Sequence, residues 1–194
     1  MEPLAQSRRK RAYLLATGQT TSYVDYDDGY YRKGIVKSYT ILTTGQYSGT
    51  TNITLNGKTD AHSNNCVVDN NTGLMWSRYA SASVGAGSDG KLPWTTNVNG
   101  EGIFAFCAAA NAAALGGHAD WRVPNINELL SLLDHEAALS FPNATAFPSW
   151  PNVVMWSSTT TSALTVNAEN IIFSYGAMST AVKTAAAPVA LVRG

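Results

Sequence analysis

Three carboxylates, Asp25, Asp27 and Asp28, stand together in the stretch DYDDG that ends at Gly29. A loop that presents carboxylate oxygens ahead of a glycine can offer ligands to Ca2+, but the downstream acidic ligand of an EF-hand loop is missing. A solvated turn is therefore the preferred reading of the cluster. The histidines His62, His118 and His135 lie far apart and in no metal-binding spacing such as HExxH, so each reads as a surface or hydrogen-bonding residue. Cys66 and Cys107 have neither a CxxC spacing nor a histidine-rich neighbourhood for zinc. They are either one long-range bridge or two buried thiols. The sequence has no GxSxG nucleophile turn, no GxxxxGK[ST] phosphate loop and no GxGxxG after a strand. The expectation is a protein without catalysis and without a cofactor.

The elements that would position any site follow from composition and pattern. With 194 residues and 45% hydrophobic side chains, the chain can bury a full core. Charged residues make up only 13%, and 13 Lys+Arg balance 13 Asp+Glu, so no global field attracts nucleic acid or an anionic membrane surface. The basic run SRRKR at Ser7–Arg11 reads as part of a flexible tail over 1–12, followed by one domain over 13–194. No apolar run approaches the ~20 residues of a spanning helix. AYLLA is also shorter than the ~7–15-residue apolar core of a secretory signal. Neither membrane insertion nor a signal peptide is expected.

The first hundred residues, rich in Gly, Thr, Tyr, Asn and Asp, read as short strands and loops. EGIFAFCAAANAAAL, from Glu101 to Leu115, predicts a helix that Gly116-Gly117 stops. PNINELLSLLDHEAAL predicts a second, with Asn125 as cap, Glu128 completing a capping-box spacing, and Ile126, Leu129, Leu130, Leu132 and Leu133 on the apolar face. VVMWSS, NIIFSYG and PVALVRG then read as strands. The order strands, two helices, strands argues for an α+β fold with a mostly antiparallel sheet. Both helices are expected to pack on one side of it.

Four segments carry a resemblance: ATGQTTSY with DDG (Ala16 to Gly29), VVDNNTGLMWSR (Val67 to Arg78), GGHADWRVPNINELLSLLD (Gly116 to Asp134) and MWSSTT (Met155 to Thr160). Together they resemble the Lcl C-terminal domain family, found at the end of bacterial collagen-like adhesins and in phage and bacterial proteins. The resemblance implies a C-type lectin-like fold, shared with formylglycine-generating enzymes and with the variable proteins of diversity-generating retroelements. Trp76, Trp121 and Trp156, one in each of three motifs, are expected in the core. Asp120 and Arg122 beside Trp121 are expected to serve the scaffold.

The tail resembles the variable region of a retroelement-diversified protein, opening near Trp156-Ser157-Ser158 and ending at Val192-Arg193-Gly194. In such systems template adenines are randomised, and codons of the AAY type do not reach Met, Lys, Glu, Gln or Trp, so Met178, Glu169 and Lys183 count as scaffold. The resemblance then implies variable, ligand-binding positions at Thr161, Ala163, Ala168, Ser174, Tyr175, Ala177, Ser179, Thr180, Ala181, Ala185, Ala186, Ala187 and Ala190. If Met178 and Val182 point inward, strand alternation turns Ala177, Ser179, Ala181 and Lys183 outward. Ala185, Ala186, Ala187 and Ala190 are expected to join this exposed face, above buried Ile171, Phe173, Val189 and Leu191.

Three functions follow from the resemblance. The first is a binding protein with a diversified C-terminal surface, displayed on a virion or cell surface as a monomer or homotrimer, whose partner is a protein or glycan on another cell or particle. The second is an adhesin of fixed specificity for glycans. Clustered Arg or Lys suited to sulfated sugars is missing from the tail, which offers only Lys183 and Arg193. The third, a formylglycine-generating type of enzyme, ranks last because Cys66 and Cys107 fall in segments that look like a strand edge and a helix interior.

Overall fold

Asn56 and Gly57 take positive φ values of 49° and 72°, as both central residues of a type I′ turn require. They close a hairpin of β2 (Thr50–Leu55) and β3 (Lys58–Ser63). Short antiparallel pairings of this kind make up the domain. The computed structural model describes residues 14–136, 142–151 and 153–194. The expected tail over 1–12 and the expected end of the second helix lie outside them. The other strands are β1 (Tyr39–Leu42), β4 (Cys66–Asp69), β5 (Met75–Ser77), β6 (Leu92–Pro93), β7 (Val154–Thr160), β8 (Asn167–Ile172), β9 (Ala177–Val182), β10 (Ala186–Ala187) and β11 (Val192–Arg193). Their sheet orders are β1-β4-β5-β11, β7-β8-β9, β2-β3 and β10-β6. The class is α+β with few helices and several small antiparallel sheets.

Among the described residues the α-helices are α1 (Asp28–Tyr31), ahead of β1, and α2 (Ile103–Ala112) and α3 (Ile126–Ser131), between β6 and β7. α3 starts where the capping box places it. Asn125 accepts the Glu128 amide at 3.0 Å, and Glu128 accepts the Asn125 amide at 2.8 Å. It ends earlier than its apolar pattern suggests, because the following residues turn away to hold the N-terminal segment: Leu133 accepts from Lys37, and Glu136 accepts from Thr20 and Thr21.

Adjacent residues on β7 explain the core. Met155 and Trp156 are both fully buried, although neighbours on a strand point to opposite faces. Trp156 packs with Phe106, Trp121, Leu92 and Leu191, while Met155 packs with Trp76, Leu129, Phe147 and Phe173. The β7-β8-β9 sheet is therefore a partition between two hydrophobic clusters. This corrects the expectation that both helices share one face. α2 contributes Ile103, Phe106 and Ala110 to the first cluster, and α3 contributes Ile126 and Leu129 to the second. Trp76, Trp121 and Trp156 are buried as their motifs suggested.

The last chain segment runs between the clusters. Ala187, Val189, Ala190, Leu191 and Val192 are all buried. Their backbone is tied down by two serine hydroxyls: Ser77 accepts the Leu191 amide at 3.0 Å, and Ser81 accepts the Val189 amide at 3.1 Å. Ser81 also donates to the Gly90 carbonyl at 2.6 Å. Ser81→Ala would leave two buried backbone groups without partners, so we expect a loss of about 1–3 kcal/mol, measured by urea denaturation. Ala190→Leu should cost about 1–3 kcal/mol in the same assay by overpacking.

Candidate functional site

The tail residues divide into three groups. Ala163, Tyr175, Thr180 and Ala186 are exposed, while Thr161, Ser174, Ala177, Ser179, Ala181 and Ala185 are half-buried. Ala168, Ala187 and Ala190 are in the core, which corrects their assignment as display positions. Ala168 faces the first cluster, and Ala187 and Ala190 occupy the buried final segment where little volume is available. The alternation along β9 is also opposite to expectation. Ser179 stands across from buried Asn170, and Ala181 across from buried Ala168, so this side turns inward. Met178 and Val182 are instead 51% and 52% exposed. Both are apolar, which suggested core, but β9 is an edge strand, and the second cluster stops at Ile171 and Phe173 before reaching them.

The outer face of the hairpin therefore presents Met178, Thr180 and Val182, with Tyr175 in the turn at 65% exposure. Lys183, on the opposite phase from these residues, lies over the Trp94 ring, 4.1 Å from its centroid, and donates to Thr160 at 2.9 Å. Beyond it a cleft of about 430 Å3 brings Thr184 and Ala186 beside Thr95, Thr96, Asn97 and Glu101. Glu101 is buried, and its carboxyl is held below the usual range, first by the hydrogen bond from Asn97 and then by Asn56 and Lys58 despite the opposing effect of burial. Arg193, the tail's other cation, is paired in two hydrogen bonds with Asp120 at 2.6 and 3.0 Å. Arg122 pairs likewise with Glu128 at 2.7 and 2.6 Å. The residues flanking Trp121 thus act in the scaffold.

The aspartates of the DYDDG stretch do not converge on a cation site. Asp27 caps α1 and accepts the amides of Tyr23 at 2.7 Å and Tyr30 at 2.8 Å, and these bonds lower its pKa. Asp28 accepts from Thr17, and Asp25 is exposed. Among the described residues no group of three or more His, Cys, Asp or Glu side chains is arranged to hold a metal ion. The same stretch carries a feature that the sequence reading passed over. Tyr23, Tyr26, Tyr30 and Tyr31 are 82%, 73%, 55% and 48% exposed. Tyr26, Tyr30 and Tyr31 pack on one another with ring centroids 5.3–6.2 Å apart. The available signal was four tyrosines in the nine residues YVDYDDGYY, with none of the alternation that buries aromatics in a strand.

Both cysteines are free and buried, which decides between the two alternatives in favour of two thiols. Burial pushes the Cys66 thiol up to about 12 and the Cys107 thiol up to about 11. His62 is buried against Phe106, with Nδ1 3.3 Å from Asp60. His118 stands 3.1 Å from the Tyr47 hydroxyl. No helix among the described residues is long and apolar enough to cross a membrane.

A family model described as the Lcl C-terminal domain matches residues 65–193. No curated protein and no solved structure matches the chain. The match takes in α2, α3 and all strands from β4 onward, and the tyrosine-bearing segment precedes it. That segment is clamped to the matched part by Glu136, which accepts from the Thr21 hydroxyl at 2.6 Å and from the amides of Thr20 at 2.6 Å and Thr21 at 3.2 Å. These bonds, led by the Thr21 hydroxyl, bring the Glu136 pKa from 4.5 down to about 2. A carboxyl depressed on folding stabilises above its unfolded pKa and ceases to do so as pH falls through the folded value. The Thr20 and Thr21 amide resonances should therefore titrate together with a midpoint near 2 by NMR. Glu136→Gln should remove that titration.

Proposed function

Because the chain belongs to the Lcl C-terminal domain family, we propose that it is a non-enzymatic target-recognition module. Its recognition surface is the outer side of the β8–β9 hairpin with the loop that precedes β8. The observation that carries this reading is the contrast within one hairpin. Ile171 and Phe173 are fully buried, whereas Tyr175, Met178 and Val182 are each more than half exposed. A rigid mount of this kind lets exposed side chains vary with little effect on folding. Apolar and aromatic side chains left uncovered on a folded surface also suit a partner.

The diversified form of the reading moves to Ala163, Tyr175, Thr180 and Ala186, all exposed and all of types that AAY codons reach. The module is displayed on a virion or cell surface, as a monomer or homotrimer, and meets a protein or glycan on another surface. It neither binds nucleic acid nor inserts into membrane. We take its architecture to be C-type lectin-like. Two short helices against small antiparallel sheets, and a C-terminal strand that returns to pair with β5, support this. The deep burial of both thiols supports the non-enzymatic reading, since formylglycine-generating chemistry requires reactive cysteines.

The DNA flanking the gene tests diversification directly. We expect a reverse transcriptase gene and an imperfect repeat of the codons for 156–194, with adenine-linked mismatches at Ala163, Tyr175, Thr180 and Ala186. Absence of the repeat, or mismatches concentrated at Ala187 and Ala190, would overturn it. In the protein, Tyr175→Asp and Thr180→Arg should each shift stability by no more than about 0.5 kcal/mol, while Phe173→Ala should cost about 3–5 kcal/mol through lost burial and a cavity. Equal sensitivity of the two sets in thermal denaturation would remove the argument for a tolerant surface.

A further inference from the structure

The β8–β9 hairpin leaves one strand edge open. β9 lies at the end of the β7-β8-β9 sheet, so its ladder runs along the β8 side alone. Which of its backbone groups face outward follows from one bond. The Lys183 amide donates to the Val166 carbonyl at 2.9 Å, one step beyond the register that sets Val182 across from Asn167. Bonded and non-bonded pairs alternate along an antiparallel ladder. Ala177, Ser179 and Ala181 are therefore bonded to β8, and the amides and carbonyls of Met178, Thr180 and Val182 point away from it. Among the described residues one of these outward groups has a partner: the Val182 carbonyl accepts the Ala185 amide at 2.8 Å.

A row of unpaired amides and carbonyls is a template for another strand, and folded proteins guard such edges with charges, proline, bulges or a covering segment. β9 uses none of the first three. Its sequence AMSTAV holds no charge and no proline, and its register with β8 runs without a break. The adjoining cation, Lys183, is drawn off to the Trp94 ring and Thr160. The edge is long enough for a full strand pairing and carries two uncovered apolar side chains, Met178 and Val182.

This edge is complementary to itself. When a second β9 lies antiparallel against the first with Thr180 opposite Thr180, Met178 falls opposite Val182 of the second copy, and Val182 opposite its Met178. These are also the residues whose backbone groups face outward, so the same register makes each of the three a hydrogen-bonded pair. On the outer face apolar side chains then meet apolar ones and threonine meets threonine, both favourable cross-strand neighbours. A slip of one residue would set Thr180 against Ser179, whose amide is turned to its own β8. A slip of two would leave Met178 without a partner in the strand. Charge does not oppose the pairing. Glu169, across from Thr180 on β8, would stand three strand spacings, about 14 Å, from its copy, beyond the ~8 Å screening length of physiological salt. The chain's formal net charge is +0, so no overall repulsion keeps two copies apart.

We propose that the free edge of β9 pairs antiparallel with the same edge of a second copy of this chain, centred on Thr180, and so continues the β7-β8-β9 sheet into six strands. The contact is isologous and closes at two copies. It therefore joins two display units, each a monomer or homotrimer, rather than building one, and it does not rest on the recognition reading. A single strand pairing covers less than the ~1,200 Å2 of a standard interface, so we expect half-association between about 0.1 and 1 mM. Sedimentation equilibrium of the intact chain over that range should show one copy passing to two. Amide exchange followed by NMR across the same series should slow at Met178, Thr180 and Val182 and stay constant at Ser179 and Ala181. Thr180→Lys, which sets two charges against each other, should weaken association about tenfold or more, with the near-ultraviolet dichroism of the tryptophans kept. Tyr26→Ser with Tyr30→Ser, at the other exposed apolar patch, should leave it unchanged. Thr180→Cys should give a disulfide-linked dimer under mild oxidation, because opposed residues of a bonded pair have Cα atoms about 5.5 Å apart. Met178→Cys should not, its copy lying about 14 Å away along the strand. The native thiols are buried and stay out of the reaction. The proposal is overturned if no association is seen by about 1 mM, if complexes larger than two form, if the tyrosine substitutions abolish association while Thr180→Lys does not, or if Met178→Cys cross-links as readily as Thr180→Cys. The recognition reading fails instead on the flanking DNA or on equal sensitivity of the hairpin substitutions to denaturation, neither of which this series measures.

Discussion

The constraint on which the other parts depend is the burial of the final segment between two hydrophobic clusters. A chain that passes through a core must satisfy every amide and carbonyl it carries, because an unpaired buried group costs about 1–3 kcal/mol. Neighbouring elements meet this demand one bond at a time. The Ser77 amide donates to the Leu191 carbonyl at 2.8 Å, and the Ser81 amide to the Val189 carbonyl at 2.9 Å. The hydroxyls of the same serines accept the amides of Leu191 and Val189. Trp156 donates to Pro188, and Arg122 exchanges both bonds with Val192. The segment thus joins β5, β7 and the stretch before α3, which would otherwise be small and marginal pairings.

That arrangement explains why the sheets are short and why adjacent residues on them are both apolar. Partition strands such as β7, with buried Met155 and Trp156, and β4, with buried Cys66 and Val67, have no solvent side over much of their length. They cannot show the alternation of a half-buried strand. Two modest clusters separated by strands replace the single core expected of a sheet with helices on one face. Each cluster takes one helix, which accounts for the capping box of α3 and for the clamp that Asn111 places on the Trp121 backbone at 2.7 and 2.8 Å.

Features governed by local rules were legible in the sequence. The capping box at Asn125–Glu128 and the burial of Trp76, Trp121 and Trp156 each follow from a few adjacent residues, whereas α2 ends at Ala112, ahead of the expected stop at Gly116-Gly117, which lie in a separate 3-10 turn that Ala114 opens in the left-handed region. The phase of β9 was not legible, because period-2 alternation gives two faces without saying which is inside. Met178 and Val182 favoured the wrong choice, since the hydrophobic pattern takes no account of where a cluster ends. The cores around Ala187 and Ala190 were hidden for a related reason. Alanine is small enough to sit on a surface or in a crowded interior, as Ala186 and Ala187 do side by side, and only the course of the neighbouring chain decides. The tyrosines of 23–31 were visible as a composition, but their exposure depends on Asp27, Thr21 and Glu136 holding the loop away from both clusters.

Small residues in the tail therefore have two separate causes, and the distinction bears on any function assigned to it. At Ala187 and Ala190 smallness is set by volume, since the chain lies between packed walls and a larger side chain has no space. At Ala163 and Ala186 it is set by nothing in the fold, because both are exposed. A mechanism that varies side chains without regard to structure can be tolerated only at positions of the second kind. Those positions fall in two sets, one on the loop and hairpin of β8–β9 and one at the cleft beside Thr184 and Ala186. After both sets run Val189, Leu191 and Val192, which are buried and leave no room for variation. The positions of this tail that are free to vary are consequently discontinuous in sequence and end before the buried run 187–192.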